Sequence, residues 1–361
     1  MSKQGRILMA MSGGIDSSIA AMMLHEQGYE IVGITMKVWD YASSGGSTKE
    51  TGCCSLDSIN DARKMAVNMG FPHYVLDLRE DFNKHIITNF VDEYLCGRTP
   101  NPCVLCNTHI KWDALLQKAE QLNCEYIATG HYAQVREENN RYVLSKGIDD
   151  NKDQSYVLWG LSQDSLKRTL FPLGAYHKTQ IKEIAEKNGY KNLSQKSESY
   201  EICFIPDNDY RSYLNRKEPG LFEKYADGNF VSTDGKILGK HKGFPFYTIG
   251  QRKGLEIAVG SPLYVNKIIS ETNTVVLGTR EELNKKEMCI RDFNLIKYAD
   301  IKDNIEVITK VRYKDKGTRS TLTMEDKLIK VNFLTAVSAI APGQSAVFYE
   351  ENDVIGGGII M

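Results

Sequence analysis

No stretch of this chain approaches the 18 consecutive apolar residues that a membrane-crossing helix needs. Its start, Met1–Arg6, runs straight into a strand-like segment without the order of regions that marks a secretory leader. The expectation is a cytoplasmic protein with no membrane partner. Net charge is nearly lacking as well: 45 Lys+Arg against 46 Asp+Glu leave −1, which excludes a protein that coats nucleic acid indiscriminately but leaves a local basic track open. There is no internal repeat and no low-complexity tract, so solenoids and fibrous folds fall away. What remains is an ordinary globular composition, 42% apolar and 25% charged, in 361 residues, too long for one typical core and suited to two or three domains. Eight cysteines in a reducing compartment are not a disulfide framework; they read as buried thiols, metal ligands or catalytic thiols.

The first half alternates strand and helix signals. Strands are expected at Arg6–Met11, Tyr29–Met36, Tyr74–Leu78 and Tyr126–Thr129, with helices from Ile19, over Asp57–Met69, over about Asp81–Leu95 and over about Ile110–Leu122. Gly28 and Gly70 close the first two helices. This alternation predicts a doubly wound parallel sheet with ligands at the C-terminal strand ends. The Gly- and Ser-rich stretch from Trp39 to Gly52 reads as a mobile loop beside that edge. Helical periodicity returns at Gln163–Leu170 and Lys178–Asn188, then fades into a turn-rich segment from Asn208 to Gly260. From Pro262 the pattern is one of short strands: Leu263–Val265, Thr274–Leu277, Glu306–Tyr313, Leu328–Phe333, Ser345–Tyr349 and Val354–Ile360, which suggests a small antiparallel barrel. The expected domains are therefore residues 1–207, 208–261 and 262–361.

The string Ser12-Gly13-Gly14-Ile15-Asp16-Ser17-Ser18 joins the first strand to the first helix. Two glycines let backbone N–H groups approach an anion, and the helix N-terminus adds about half a positive charge. No Gly-Lys-Ser/Thr closes the loop, so it is not a Walker-type phosphate loop. It resembles the pyrophosphate loop (PP-loop) of ATP pyrophosphatases, which cleave ATP between the α and β phosphates and adenylate a substrate. The plainer alternative is a strand–turn–helix junction capped by Ser17.

Gly97-Arg-Thr-Pro-Asn-Pro-Cys-Val-Leu-Cys-Asn107 is the second signal; its prolines place Cys103 and Cys106 on a rigid exposed loop. The CxxC can be half a zinc site, a redox dithiol, a nucleophile with a neighbour, or two incidental thiols. Gly130-His131-Tyr132 follows the fourth strand, and Lys152-Asp153-Gln154-Ser155-Tyr156 sets polar groups on a turn where they can grip a ligand or merely cap a helix. Cys203 lies between apolar residues, as a buried core thiol would, yet its lead-in Ser197–Glu201 suggests a mobile loop. Two basic tracks occur: Lys236, Lys240, Lys242, Arg252 and Lys253, near Phe244, Phe246 and Tyr247; and Lys310, Arg312, Lys314 and Lys316, alternating along a strand-like run beside Tyr313. Either can meet phosphates and stack bases, or be solvated surface.

In order, AMSGGIDSS, the strand end at Met36, GRTPNPxxxCN, TGHY, NKDQSY, ICFI, GQRKGL, VRY, APGQSAVFY and GGGII resemble the tRNA-specific 2-thiouridylases (the MnmA/TrmU family) over essentially the whole chain. The resemblance implies ATP-dependent thiolation of C2 of the wobble uridine, by a PP-loop domain, a small central domain and a C-terminal barrel that hold the tRNA anticodon arm. It implies ATP with Mg²⁺, a persulfide sulfur-donor protein as partner, and a monomer. Cys203 matches the persulfide carrier and Cys106 its partner thiol, leaving a Cys106–Cys203 disulfide after turnover. By the same matching Ser12, Gly13, Gly14, Ile15, Asp16 and Ser17 hold the pyrophosphate, while Ala10, Met11, Met36 and Gly130 contact the adenosine. Asn101 and Pro102 face the target base, with Cys103 standing where many members carry Asp. His131, Lys152, Asp153, Gln154, Arg312, Tyr313 and Gln344 touch tRNA. No residue is assigned to a resident metal.

Three other readings stay open: another PP-loop adenylating enzyme that needs neither cysteine; an iron–sulfur-dependent tRNA thiolation using Cys103, Cys106 and Cys203; and a zinc-bound RNA-binding module built on Cys53, Cys54, Cys103 and Cys106.

Overall fold

A computed structural model of the chain describes residues 4–40, 55–194, 202–302 and 304–361. Cys53, Cys54, the Ser197–Glu201 lead-in and the loop expected at Trp39–Gly52, apart from Trp39 and Asp40, lie outside the described residues.

β1 (Arg6–Ala10) is apolar on both faces because both are covered: Ile7, Leu8 and Met9 are fully buried. It is followed by α1 (Ile15–Glu26), β2 (Glu30–Lys37), α2 (Leu56–Met69) and β3 (His73–Asp77). Gly70 ends α2 in the left-handed conformation at φ 77°, as the sequence predicts. Next come two helices with π-helical turns inside them: α3, made of Arg79–Phe82, Asn83–Ile87 and Thr88–Leu95, and α4, made of Pro102–Leu105, Cys106–Trp112 and Asp113–Gln121. With β4 (Tyr126–Ala128) and, further on, Thr169–Leu170, these strands form a parallel sheet in the order β3-β2-β1-β4 and then Thr169–Leu170. The doubly wound sheet expected from the sequence is present.

α4 corrects the exposed loop expected around Cys103 and Cys106. Pro102 does not prevent a helix; it starts one, at the position where its missing N–H would have had no helical partner. The π-helical turn shifts the apolar spacing after Cys106, which hides the helix from a 3.6-residue periodicity until Ile110. Cys106 is consequently buried, while Cys103 stays open to solvent.

A hairpin that the sequence reading missed follows β4: β5 (Ala133–Glu138) and β6 (Arg141–Lys146), turned by Asn139 and Asn140, both at positive φ. It joins the C-terminal sheet through Ser145, which faces Asp353. The Asp353 carboxylate accepts from Ser145 at 2.7 Å, Arg136 at 2.8 Å and Lys297 at 2.7 Å.

Beyond Thr169–Leu170 (β7) and α5 (Lys178–Lys187), α6 (Tyr210–Lys217) leads into the middle of the chain. β8 (Gly228–Ser232), β9 (Ile237–His241), β10 (Tyr264–Ile269) and β11 (Thr274–Gly278) make one sheet there, ordered β10-β11-β8-β9. This moves the strands expected at Leu263–Val265 and Thr274–Leu277 out of the barrel. β11 pairs with β8, and Val265, Val275 and Leu277 bury with Phe230, so the boundary falls after Gly278 rather than at 261/262. Phe244, Phe246 and Tyr247 also belong to this core and are buried, not offered for stacking.

The last unit is β12 (Asn284–Leu295), β13 (Ile305–Lys310), β14 (Thr318–Glu325), β15 (Leu328–Ser338), β16 (Ser345–Glu350) and β17 (Asp353–Ile360). They run β12-β15-β14-β13-β16-β17, and a β12–β17 pairing closes the antiparallel barrel around Ile290, Leu322, Val331, Phe348 and Ile355. β13 ends at Lys310, which overturns the alternating basic face expected through Lys316. Asp315 takes the Val311 and Gly317 N–H groups, and Gly317 sits at φ 90°, so Arg312–Lys316 form a turn.

Candidate active site

The loop after β1 is built as an anion cradle. Gly13 sits at φ 69°, and a Cβ there would lie 2.0 Å from the Ser58 carbonyl oxygen. Gly14 begins α1 without a side-chain cap, so the helix presents its positive end to the loop. Ser17 does not cap the helix; its hydroxyl accepts the Ser12 N–H at 3.0 Å and lies 3.1 Å from the Ser12 hydroxyl. Gly130, just past β4, backs the helix start, where a Cβ would meet the Ser17 nitrogen at 2.8 Å. Ala10 and Met36 stand partly exposed at the C-terminal strand ends, where open parallel sheets bind ligands. Met11 and Ile15 do not offer their side chains; both are buried in the core and present only backbone.

Asp16 faces a partner that the sequence reading missed. The Lys178 ammonium lies 2.7 Å from both of its carboxylate oxygens, and the Tyr132 hydroxyl donates to one of them at 2.7 Å. Lys178 is 7% exposed and is the first residue of α5, whose N-terminal dipole opposes a cation. That misplaced charge was the available signal: a buried lysine at a helix start needs an anion beside it.

A second cluster gathers around α4. Asn101 precedes Pro102 at the start of α4, and the buried Tyr156 donates its hydroxyl to the Ser345 carbonyl at 2.8 Å. Cys103 has solvent on one side, but desolvation by the protein around it raises its thiol pKa, so it stays protonated near neutrality. Cys106 points into a core that also holds Phe204 and Ile205, the two residues after Cys203. Phe204 packs edge-on against Phe82 and Phe90 at 5.6 and 5.2 Å, pinning the segment while Cys203 itself is exposed. Among the described residues, no three His, Cys, Asp or Glu side chains converge as metal ligands.

Several residues expected on tRNA also make hydrogen bonds within the chain. Asp153 is buried and accepts from the Gly147 N–H, the Ser155 N–H and the Ser155 hydroxyl at 3.3, 3.0 and 3.0 Å. Gln154 accepts the Tyr132 N–H at 3.0 Å, and the Tyr313 hydroxyl donates to the Asp153 carbonyl at 2.9 Å. Gln344 donates to the carbonyls of Thr99 and Pro100. Arg312 is exposed, and Lys152 is partly so.

His131 packs beside Trp112 and Phe171, with the Thr129 hydroxyl 2.8 Å from its ring. Burial, helped by the Lys111 charge, pushes its imidazole down to about 3. In the unfolded chain the group takes a proton near 6.5, so folding stability is full above that pH and is lost as pH falls toward 3. His241, pushed down to about 4 by burial, adds in the same direction. His131→Gln is expected to flatten the rise of the unfolding midpoint between about pH 4 and pH 7; an unchanged slope would mean that the ring protonates in place.

A parallel sheet with a glycine loop after its first strand, followed by two β-rich units, defines a PP-loop nucleotide-binding protein of three parts. Three family models match in succession: tRNA methyl transferase HUP domain over residues 5–207, tRNA methyl transferase PRC-barrel domain over 221–279, and aminomethyltransferase beta-barrel domain over 285–360. The tRNA-specific 2-thiouridylase MnmA of Cytophaga hutchinsonii is 62% identical over 361 residues, covering 100% of this chain and 98% of the relative. Those of Amoebophilus asiaticus (62%, covering 99% and 96%) and Salinibacter ruber (55%, covering 100% and 95%) are similar throughout. The chain belongs to the tRNA-specific 2-thiouridylase family.

Proposed function

We propose that this chain uses ATP to replace the C2 oxygen of the wobble uridine of tRNA with sulfur. The observation that carries the reading is the shared core of Cys106 and Phe204–Ile205, which ties the residue pair directly after Cys203 to the helix that bears Cys106. The Gly13 cradle and the uncapped start of α1 fit a pyrophosphate, whereas Asp16, with both carboxylate oxygens on Lys178, offers Mg²⁺ no open ligand, so no step is routed through the metal.

The C2 oxygen is a poor leaving group, and adenylation makes it one, with pyrophosphate departing to the Ser12–Ser17 loop. The terminal sulfur of a Cys203 persulfide then forms the bond to C2 as the bond to AMP breaks. The Cys106 thiolate attacks the Cys203 sulfur, the S–S bond to the substrate sulfur breaks, and C2 keeps its sulfur. The two cysteines are left as a disulfide, two electrons more oxidised than before. An external dithiol restores them, and a persulfide-bearing donor protein reloads Cys203. Cys103, held as a neutral thiol, borders the base as a passive substitute for the carboxylate found in many relatives.

The test is direct. Iron-free protein given ATP, unmodified tRNA and a persulfide donor should yield 2-thiouridine by nucleoside mass spectrometry, with AMP and pyrophosphate in equal amounts. Activity that instead tracks bound iron and sulfide would favour the cluster-dependent reading. On the binding side, Arg312→Ala should weaken tRNA affinity and lower the log–log salt slope by about 0.7–0.9, one phosphate contact. Unchanged affinity and slope would leave Arg312 as solvated surface.

A further inference from the structure

Two lysines from different units reach one aromatic ring. Lys146 ends β6, in the hairpin of the nucleotide-binding unit, and Lys310 ends β13 of the barrel. The Lys146 ammonium stands 4.8 Å from the centre of the Tyr349 ring, and the Lys310 ammonium 5.2 Å. Tyr349 is buried with Tyr156 and Leu158 in the core between the two units, and its hydroxyl lies 3.1 Å from the Ser155 hydroxyl, so the ring is a fixed platform. Register explains the approach from the barrel. Ile308 lies opposite Tyr349 and Lys310 opposite Val347, which puts these four side chains on the strand face turned away from the barrel core.

Two like charges held at one ring repel each other unless an anion joins them. Burial keeps the Lys146 ammonium below the usual lysine range, and the Lys310 charge pushes the same way, against the opposite pull of Asp153 and Asp150. The other carboxylates nearby are engaged: Lys297 holds both Glu350 and Asp353, and Asp153 accepts from Gly147 and Ser155. Among the described residues neither Lys146 nor Lys310 has an ion-pair partner; Lys146 donates to the Glu351 carbonyl at 3.3 Å. Both side chains are partly exposed, and the exposed Arg312 follows Lys310 by two residues.

We propose that Lys146 and Lys310 form a clamp for one backbone phosphate of tRNA, which bridges the nucleotide-binding unit and the barrel at their seam. The proposal rests on the reading of tRNA as the substrate. A phosphodiester brings one negative charge and two open oxygens to the pair of ammonium groups. It carries no base identity, so the clamp fixes where the RNA lies and leaves the choice of base to other residues.

Lys146→Met, Lys310→Met and the double variant test it. Each is measured in the full chain for tRNA affinity across a salt series, for ATP affinity and for the unfolding midpoint. Each single variant should weaken tRNA binding about three- to tenfold. The double variant should lose little more than either, because both lysines act on one phosphate, and its log–log salt slope should fall by about 0.7–0.9. ATP affinity should be unchanged. Unchanged tRNA affinity and slope would overturn the clamp, and a midpoint that falls in the same variants would make the lysines braces on Tyr349 instead. Fully additive losses would overturn the shared phosphate, and weaker ATP binding with an unchanged tRNA slope would assign the pair to the nucleotide. tRNA binding is measured without ATP or a sulfur donor. A wild-type chain that binds tRNA but makes no 2-thiouridine therefore defeats the thiolation reading, while the slope still decides the clamp.

Discussion

Cys106→Ser and Cys203→Ser should each abolish 2-thiouridine formation while tRNA binding remains close to wild type. The two thiols carry different tasks, so neither replaces the other: one bears the transferable sulfur and the other breaks the S–S bond behind it. Their settings match those tasks. Cys203 is exposed, where a donor protein can reach it, and Cys106 is buried beside the segment that anchors Cys203. In Cys203→Ser, adenylated tRNA should still form, because that step precedes sulfur attack. Cys103→Ser, by contrast, should keep most activity, since its thiol is held neutral and has no part in the exchange. Wild-type product from either serine variant at 106 or 203, with inorganic sulfide excluded, would sink the relay. Loss of all activity in Cys103→Ser would reopen a three-thiol mechanism.

The second large effect is expected at Lys178. Removing one partner of a buried ion pair costs about 3–5 kcal/mol, and with Asp16 about a third exposed the loss here is nearer 2–3 kcal/mol. Lys178→Met should therefore lower the unfolding midpoint. It should also weaken ATP binding on the order of ten- to a hundredfold, because the Asp16 carboxylate would face the incoming phosphates without its counter-charge. Asp16→Asn added to Lys178→Met should recover most of the stability. Calorimetric melting and nucleotide titration of the three variants check this. A single variant as stable as wild type would show that desolvation cancels the pair.

These two sites differ in how far the sequence reveals them. The glycine loop is legible because its constraint is local: Gly13 must adopt a positive φ against Ser58, and no other residue type does this cheaply. β1, β2 and α2 are legible for the same reason, since burial on both strand faces and a glycine helix stop leave their pattern in a short window. Lys178 and Asp16 lie 162 positions apart, and no window joins them. α4 is half-legible, since Pro102 belongs to its first turn but a π-helical turn breaks the periodicity that would extend it back from Ile110. β12 and β14 escape notice because their outward faces are rich in Lys, Glu and Thr, and only closure of the barrel buries the alternate residues. The basic face expected on Lys310–Lys316 fails because Asp315 and Gly317 make a turn of it, a choice set by two side-chain hydrogen bonds rather than by alternation.

The β5–β6 hairpin has a consequence for how the chain is made. Its partner, Asp353, lies 217 positions beyond Arg136 and so leaves the ribosome long after the hairpin does. At about 5–20 residues per second, the hairpin waits some ten seconds or longer with an open strand edge before β17 emerges to cover it. A chain shortened by its final strand would lose the closure of the barrel and leave that edge open for good, inviting strand pairing between copies. The hairpin edge therefore stays open until β17 has been made, and a chain that stops short of β17 keeps it exposed.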